Sequence, residues 1–295
     1  MNGPRHISPL RYPGGKATMA DWLGEVLDAQ QSPMEIGIWM EPFAGGAGAA
    51  LTLLDRDAVD EVWLIDQNPG IAAFWHTVVD DGEELARRVE LTTPTMNLWE
   101  GCRAIIAEPG SAGQFELGYA TFIINRCARS GIVTLKSGPI GGRAQTGRWS
   151  IGSRFTADAL AERIRHVATF RDRIRVHHAD GLEFIEDIND SGVADEVVMF
   201  VDPPYIREGN RLYTNGMTEQ AHQRLSQALN GTTARWVLTY DDEPLVSDAL
   251  YPQRRVIPYG IRNSANRARR AREFAVFSDN FDLEVMPPGV YAGAA

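Results

Sequence analysis

Short apolar runs alternate with helical patterns along most of this chain, and that alternation limits the possible folds more than any other feature. Runs that read as strands occupy 37–41, 61–66, 173–179, 196–201, 235–240, 254–259 and 273–278. Helical periodicity falls between them at about 17–28, 47–54, 69–78, 157–171, 181–188 and 218–229. Such an order predicts an α/β fold with a mostly parallel seven-stranded sheet, covered on both faces. Only a basic segment, 260–272, separates the last two strands, which predicts a hairpin and one antiparallel strand. Residues 80–156 break the alternation. Their Gly- and Ser-rich stretches predict a loop-rich, partly helical insert, 80–156, in a main body built from 1–79 and 157–295.

The run Val197-Val198-Met199-Phe200-Val201 is short, unbroken and β-branched, as a buried strand should be. Asp202-Pro203-Pro204-Tyr205 follows it, at the carboxyl end where open α/β sheets place their chemistry. Two prolines fix φ twice and remove two backbone donors. What remains is a stiff turn with a carboxylate, carbonyls free of competing donors and one aromatic ring. Those parts suit a planar exocyclic amine: two acceptors for its hydrogens and a π-face for its ring. A strand-terminating turn with a buried tyrosine would look the same from four residues alone.

Two further segments favour the chemical reading. Strand 37–41 runs through Glu41 into Pro42-Phe43-Ala44-Gly45-Gly46-Ala47-Gly48 and then a helix-forming stretch. Glycines there admit positive φ and a close backbone approach to a ligand, although the spacing is not that of a pyrophosphate cradle. The next strand ends in Asp66, about 20 residues past the turn, a spacing suited to ribose hydroxyls. Nearer the N-terminus, Tyr12-Pro13-Gly14-Gly15-Lys16 opens an amphipathic segment and brings a ring and a cation close to a bound ligand. Lys16 is one of only two lysines beside 27 arginines, which hints at a specific task.

In this order the motifs resemble those of the Dam-type DNA adenine-N6 methyltransferases. The resemblance continues at Phe122-Ile123-Ile124-Asn125-Arg126, from Arg148-Trp149 to Arg154-Phe155, and at Glu273-Phe274-Ala275-Val276-Phe277. Around Arg129-Ser130-Gly131 and Gly138 to Gly142 the chain looks more like phage and prophage relatives than like members that methylate GATC. The resemblance implies an S-adenosylmethionine-dependent enzyme acting on a flipped adenine in duplex DNA. It implies a catalytic domain from 1–79 and 157–295 with a target-recognition insert at 80–156. Asp202, Pro203, Pro204 and Tyr205 would be catalytic. Tyr12, Lys16, Glu41, Phe43, Gly45, Asp66, Asp180 and Asp202 would surround S-adenosylmethionine, and no metal is expected. A carboxylate is a weak base, so Asp202 would orient the amine more than deprotonate it.

A net charge of −10 disfavours binding to DNA as a whole, but the charge is segregated. From Arg126 to Arg175 there are eleven basic residues against three acids, and from Arg254 to Arg272 seven arginines and no acid. Localised basic surface is what a phosphate backbone requires. Arg126, Arg129, Lys136, Arg143, Gln145, Arg148, Arg267 and Arg269 are the candidate DNA contacts, although a solvated helix face would explain Arg163, Arg165 and 171–175 equally well. Cys102 and Cys127 form neither a disulfide framework nor a zinc pattern, and no apolar leader or membrane span is evident, so a cytoplasmic location is expected. Two other readings stay open: an RNA or protein amide N-methyltransferase, and a catalytically silent DNA-binding protein. The target sequence, a partner restriction enzyme and the oligomeric state are not written in the sequence.

Overall fold

The computed structural model describes residues 7–12, 16–28, 37–206, 216–262 and 270–281. Seven strands form one sheet: β1 (Ile38–Glu41), β2 (Glu61–Asp66), β3 (Ile174–His178), β4 (Val197–Val201), β5 (Arg235–Asp241), β6 (Arg255–Arg262) and β7 (Arg270–Phe277). Their order is β3-β2-β1-β4-β5-β7-β6. β3, β2, β1, β4 and β5 pair in parallel, while β7 runs against both β5 and β6. The expected sheet, with a single reversed strand, is the one observed.

Burial explains the central strands. All five residues of β4 are buried, so its continuous apolar run serves two cores at once. Val198 and Phe200 face one core with Trp39, Val62 and Leu64. Val197, Met199 and Val201 face the other with Met40 and Ile65. Helices α1 (Ala20–Asp28), α2 (Gly48–Asp55) and α3 (Pro69–Glu90) pack on the first face. So does α6 (Ala157–Ala168). Two helices, α7 (Gly181–Ser191) and α8 (Glu219–Gly231), cover the second. None of the described helices is long and apolar enough to cross a membrane.

Two expectations need correction. The region 80–156 is more helical than its composition suggested. α3 continues to Glu90, with non-helical φ/ψ at Asp81, because Leu85, Ala86 and Val89 bury a further apolar stripe. α4 (Met96–Ala107) and α5 (Gln114–Cys127) follow, and irregular chain is confined mainly to 128–156. Phe74 of α3 stacks on Phe122 of α5, with centroids 5.6 Å apart, which ties this region to the main core. The basic segment 260–272 is also not wholly loop. Gly260, Ile261 and Arg262 pair with Arg272, Ala271 and Arg270 as the outer arms of the β6–β7 hairpin. Arg267 and Arg269 lie outside the described residues.

Candidate active site

The strand order locates the site before any side chain is considered. From β1 the chain crosses to β2 on one side, while β4, on the other side of β1, leads on to β5. Loops leaving the carboxyl ends of β1 and β4 therefore diverge, and a crevice opens between them. Glu41 ends β1, Asp66 ends β2 and Asp202 follows β4. Asp66 and Asp202 are two strand spacings apart along the sheet, about 10 Å.

The glycine turn is shaped by Tyr12. At Gly45, where φ is +45°, an added Cβ would lie 2.8 Å from the Tyr12 ring, and one at Gly46 would lie 2.9 Å from the Tyr12 Cβ. Neither position has room for a side chain, so the ring lies flat against the backbone. Asp66 locks the same turn: Gly45 N–H donates to Oδ2 at 2.9 Å and Asn68 N–H to Oδ1 at 2.8 Å. Burial outweighs those two donors and pushes the Asp66 carboxyl up to about 6. Asn68 in turn caps α3, accepting from Gly70 and Ile71.

Glu41 is buried behind the turn. Its Oε1 accepts from Ala50 N–H at 2.6 Å and from Trp39 Nε1 at 3.3 Å. It thereby satisfies a donor in the first turn of α2, whose own cap residue, Ala47, has no side chain able to do so. Burial pushes Glu41 up to about 7. Glu41 is not among the residues that line the cleft.

Lys16 reaches across to the Asp-Pro-Pro-Tyr turn. Its ammonium lies 3.0 Å from Asp202 Oδ1 and 3.1 Å from Oδ2, and donates to the Tyr205 hydroxyl at 2.8 Å. Thr239 on β5 donates to Asp202 Oδ1 at 2.5 Å. A carboxylate has about four lone-pair directions, so acceptor capacity remains on Asp202. Glu273 on β7 completes the cluster, accepting from the Tyr205 hydroxyl at 2.7 Å and the Tyr259 hydroxyl at 2.6 Å. Asp202 and Glu273 together hold the Lys16 pKa above its ordinary value against a large desolvation effect that pulls it down. Glu273, Thr239 and Tyr259 were not singled out as site residues from sequence. An acid and a threonine inside otherwise apolar strands were the available signal.

Tyr12, Phe43, Asp66, Asp202 and Pro204 line one cleft, together with Asn68 and the insert residues Ile132, Val133 and Thr134. Three sequence-predicted groups thus converge: the Tyr12 ring, the strand-end Asp66, and Asp202 with Pro204 of the Asp-Pro-Pro-Tyr turn, while Pro203 and Tyr205 are not among the lining residues. Asp180 stands apart, exposed, with Oδ1 capping α7 through Leu182 and Glu183. The next residue, Gly181, packs so tightly on Pro42 that an added Cβ would fall 2.0 Å from the Pro42 carbonyl oxygen.

The candidate DNA contacts divide. Arg129, Lys136 and Arg148 are exposed, and Arg143 is exposed although it pairs with Glu100 at 3.1 Å. Arg148 lies over the ring of Trp149, itself 59% exposed. Arg126 is buried, donating to the backbone oxygens of Pro9 and Arg154 at 3.4 and 2.7 Å. Burial and neighbouring arginines lower its pKa to about 10. Its place is structural, between the N-terminal segment and the insert. Gln145 also turns inward. Its Nε2 donates to Ile140 O and Gly142 O at 2.8 and 2.6 Å, and its Oε1 accepts from Ile151 N–H at 2.8 Å. These bonds pin a loop in which Gln145 itself has a φ of +51°, and they leave its amide little capacity to read a base.

Residues 12–101 match the family model described as D12 class N6 adenine-specific DNA methyltransferase. The resemblance to the DNA adenine-N6 methyltransferases is borne out for the motifs from Tyr12 to Asp66. Over that segment, about a third of its length, the chain is similar to the D12 class of DNA adenine methyltransferases. The matched segment runs from Tyr12 through the glycine turn and Asp66 into α4. Among solved structures, this chain is similar to an rRNA methyltransferase, aviRa, from Streptomyces viridochromogenes. The two are 17% identical over 88% of this chain and 82% of that one, with a TM-score of 0.40. A search of curated proteins gave no match.

Proposed function

We propose that this chain transfers the methyl group of S-adenosylmethionine to N6 of an adenine flipped out of duplex DNA. The observation that carries this reading is the Asp202 carboxylate at the topological switch point. It is held by Lys16 and Thr239, with spare acceptor capacity facing the cleft that Asp66 also lines. The residues present suit the cofactor: a carboxylate for ribose hydroxyls, a fixed Tyr12 ring, Phe43, and an acidic surrounding for a cation. S-adenosylmethionine, when bound, supplies an electrophilic methyl on a positively charged sulfur.

Asp202 and the Pro203 carbonyl would each accept one hydrogen of the exocyclic amine. That pulls the nitrogen toward sp³ and aims its lone pair into the cleft, where the Asp202 charge stabilises the cation developing on N6. The Tyr205 ring would stack on the flipped base. In this reading the catalytic domain comprises 1–79 and 157–295, and 80–156 selects the target, with Ile132 to Thr134 closing one wall of the cleft.

The test is transfer of labelled methyl to DNA, followed by nucleoside analysis. Wild-type protein should yield N6-methyladenine, and Asp202→Ala should lose about 10³-fold in rate while still binding DNA. Label appearing in RNA or protein but not in DNA would refute the reading, as would full activity of Asp202→Ala.

A further inference from the structure

We infer that Glu273 is a positioning residue for the transfer: it receives the Lys16 ammonium when the target amine takes over Asp202, and it fixes the Tyr205 ring through its hydroxyl. The inference deepens the proposed function and rests on it. Glu273 lies on β7 opposite Tyr259 of β6. Its neighbour Arg272 points outward and pairs with Asp242 at 3.3 Å, whereas Glu273 is buried. A buried acid in a sheet is costly unless it is fully engaged, and this one is: its Oε2 accepts from two phenols.

The Lys16 ammonium stands between two carboxylates, 3.0 Å from Asp202 and 3.6 Å from Glu273. While it bonds Asp202, it takes up acceptor directions that an incoming amine needs. Moving about 1 Å brings it to hydrogen-bond distance from Glu273. The cation then stays inside the cluster, bonded on both sides of the move to the Tyr205 hydroxyl, and Asp202 keeps its charge and regains free acceptors. Without the second anion, Lys16 has to break its ion pair as the amine binds. The Tyr205 hydroxyl, held at 2.8 Å by Lys16 and at 2.7 Å by Glu273, keeps the ring orientation through the exchange.

The experiment is a double-mutant cycle on the full chain using Glu273→Gln, Lys16→Met and the pair, with S-adenosylmethionine and duplex DNA at saturation. Single-turnover rate, cofactor Kd and thermal melting are read for all four proteins. Glu273→Gln keeps the shape and removes the charge. It should lower the single-turnover rate about tenfold or more while cofactor Kd stays within about twofold. In the Lys16→Met background the same change should cost almost nothing further, because the ammonium it serves is gone. An equal loss in both backgrounds, or a wild-type rate in Glu273→Gln, would overturn the inference while wild-type transfer remained intact. No methyl transfer to DNA by the wild type would instead overturn the parent reading, and the inference with it. If Glu273→Gln does not fold, Tyr205→Phe reads the same link. It keeps the ring and should lose several-fold in rate with Lys16 present and little without it, and a wild-type rate would refute the hydroxyl tether.

Discussion

Glu41 shows how one side chain can tie the site to the stability of the whole chain. It is only 5% exposed and its carboxyl is pushed up to about 7 from an ordinary 4.5, mainly by burial. A folded-state pKa above the unfolded one means that the fold favours the protonated form. This contribution is complete below about pH 4.5 and is lost as pH rises through about 7. Asp66, pushed up to about 6, acts in the same direction. The urea midpoint should therefore fall between pH 5 and pH 8. Glu41→Gln keeps an oxygen to accept from Ala50 and Trp39 but cannot ionise. Its loss over that window should be smaller than that of wild type by on the order of 3 kcal/mol. Parallel stability curves for the two proteins would show that Glu41 ionises without penalty.

At the scale of elements, close helix crossings make an unequal pair of glycines. An added Cβ at Gly118 on α5 would lie 2.4 Å from Thr77 Oγ1 and 2.8 Å from the Ala73 carbonyl oxygen, both on α3. Gly101 on α4 has nothing within 4 Å. Gly118→Ala should cost about 1–3 kcal/mol through overpacking. Gly101→Ala should gain about 0.5–1 kcal/mol through helix propensity. Denaturation curves that reverse this order would contradict the packing account of α3 and α5. The same helices separate what is legible in the sequence from what is not. Strands β1 to β5 were legible because their apolar runs are short and bounded. α5 was not: residues from Leu117 to Cys127 are all buried, so no polar face marks the helical period. Residues from 80 on break the alternation in sequence, and at Asp81 the backbone does leave helical φ/ψ, so α3 is two helical segments joined at a kink. In the site, Tyr12, Asp66 and Asp202 sit at strand ends and turns with local signatures. Glu273 joins them only through the pairing of β7 with β5, which no local pattern encodes.

Over the whole molecule, charge separates into a load-sharing part and an exposed part, and the two should respond differently to salt. Arg165 bonds Glu83 and Glu90, Arg173 bonds Asp57, and Arg175 bonds Glu61, so these arginines serve the fold. Arg129, Lys136 and Arg148 are exposed, and the described residues give none of them an ion-pair partner. A chain of net charge −10 can approach a polyanion only through such a localised basic surface. Lys136→Ala and Arg148→Ala should each reduce the slope of log affinity against log salt by about one unit. Arg165→Ala should leave the slope unchanged and lower the melting temperature, because its partners lie on α3 and not on DNA. Arg143→Ala should change the methylated context, since its exposed guanidinium can turn from Glu100 to a guanine edge. Sequencing of methylated DNA together with salt titrations would decide the matter. Unchanged slopes for Lys136→Ala and Arg148→Ala, with a reduced slope for Arg165→Ala, would move the DNA-binding face away from the insert and onto α6.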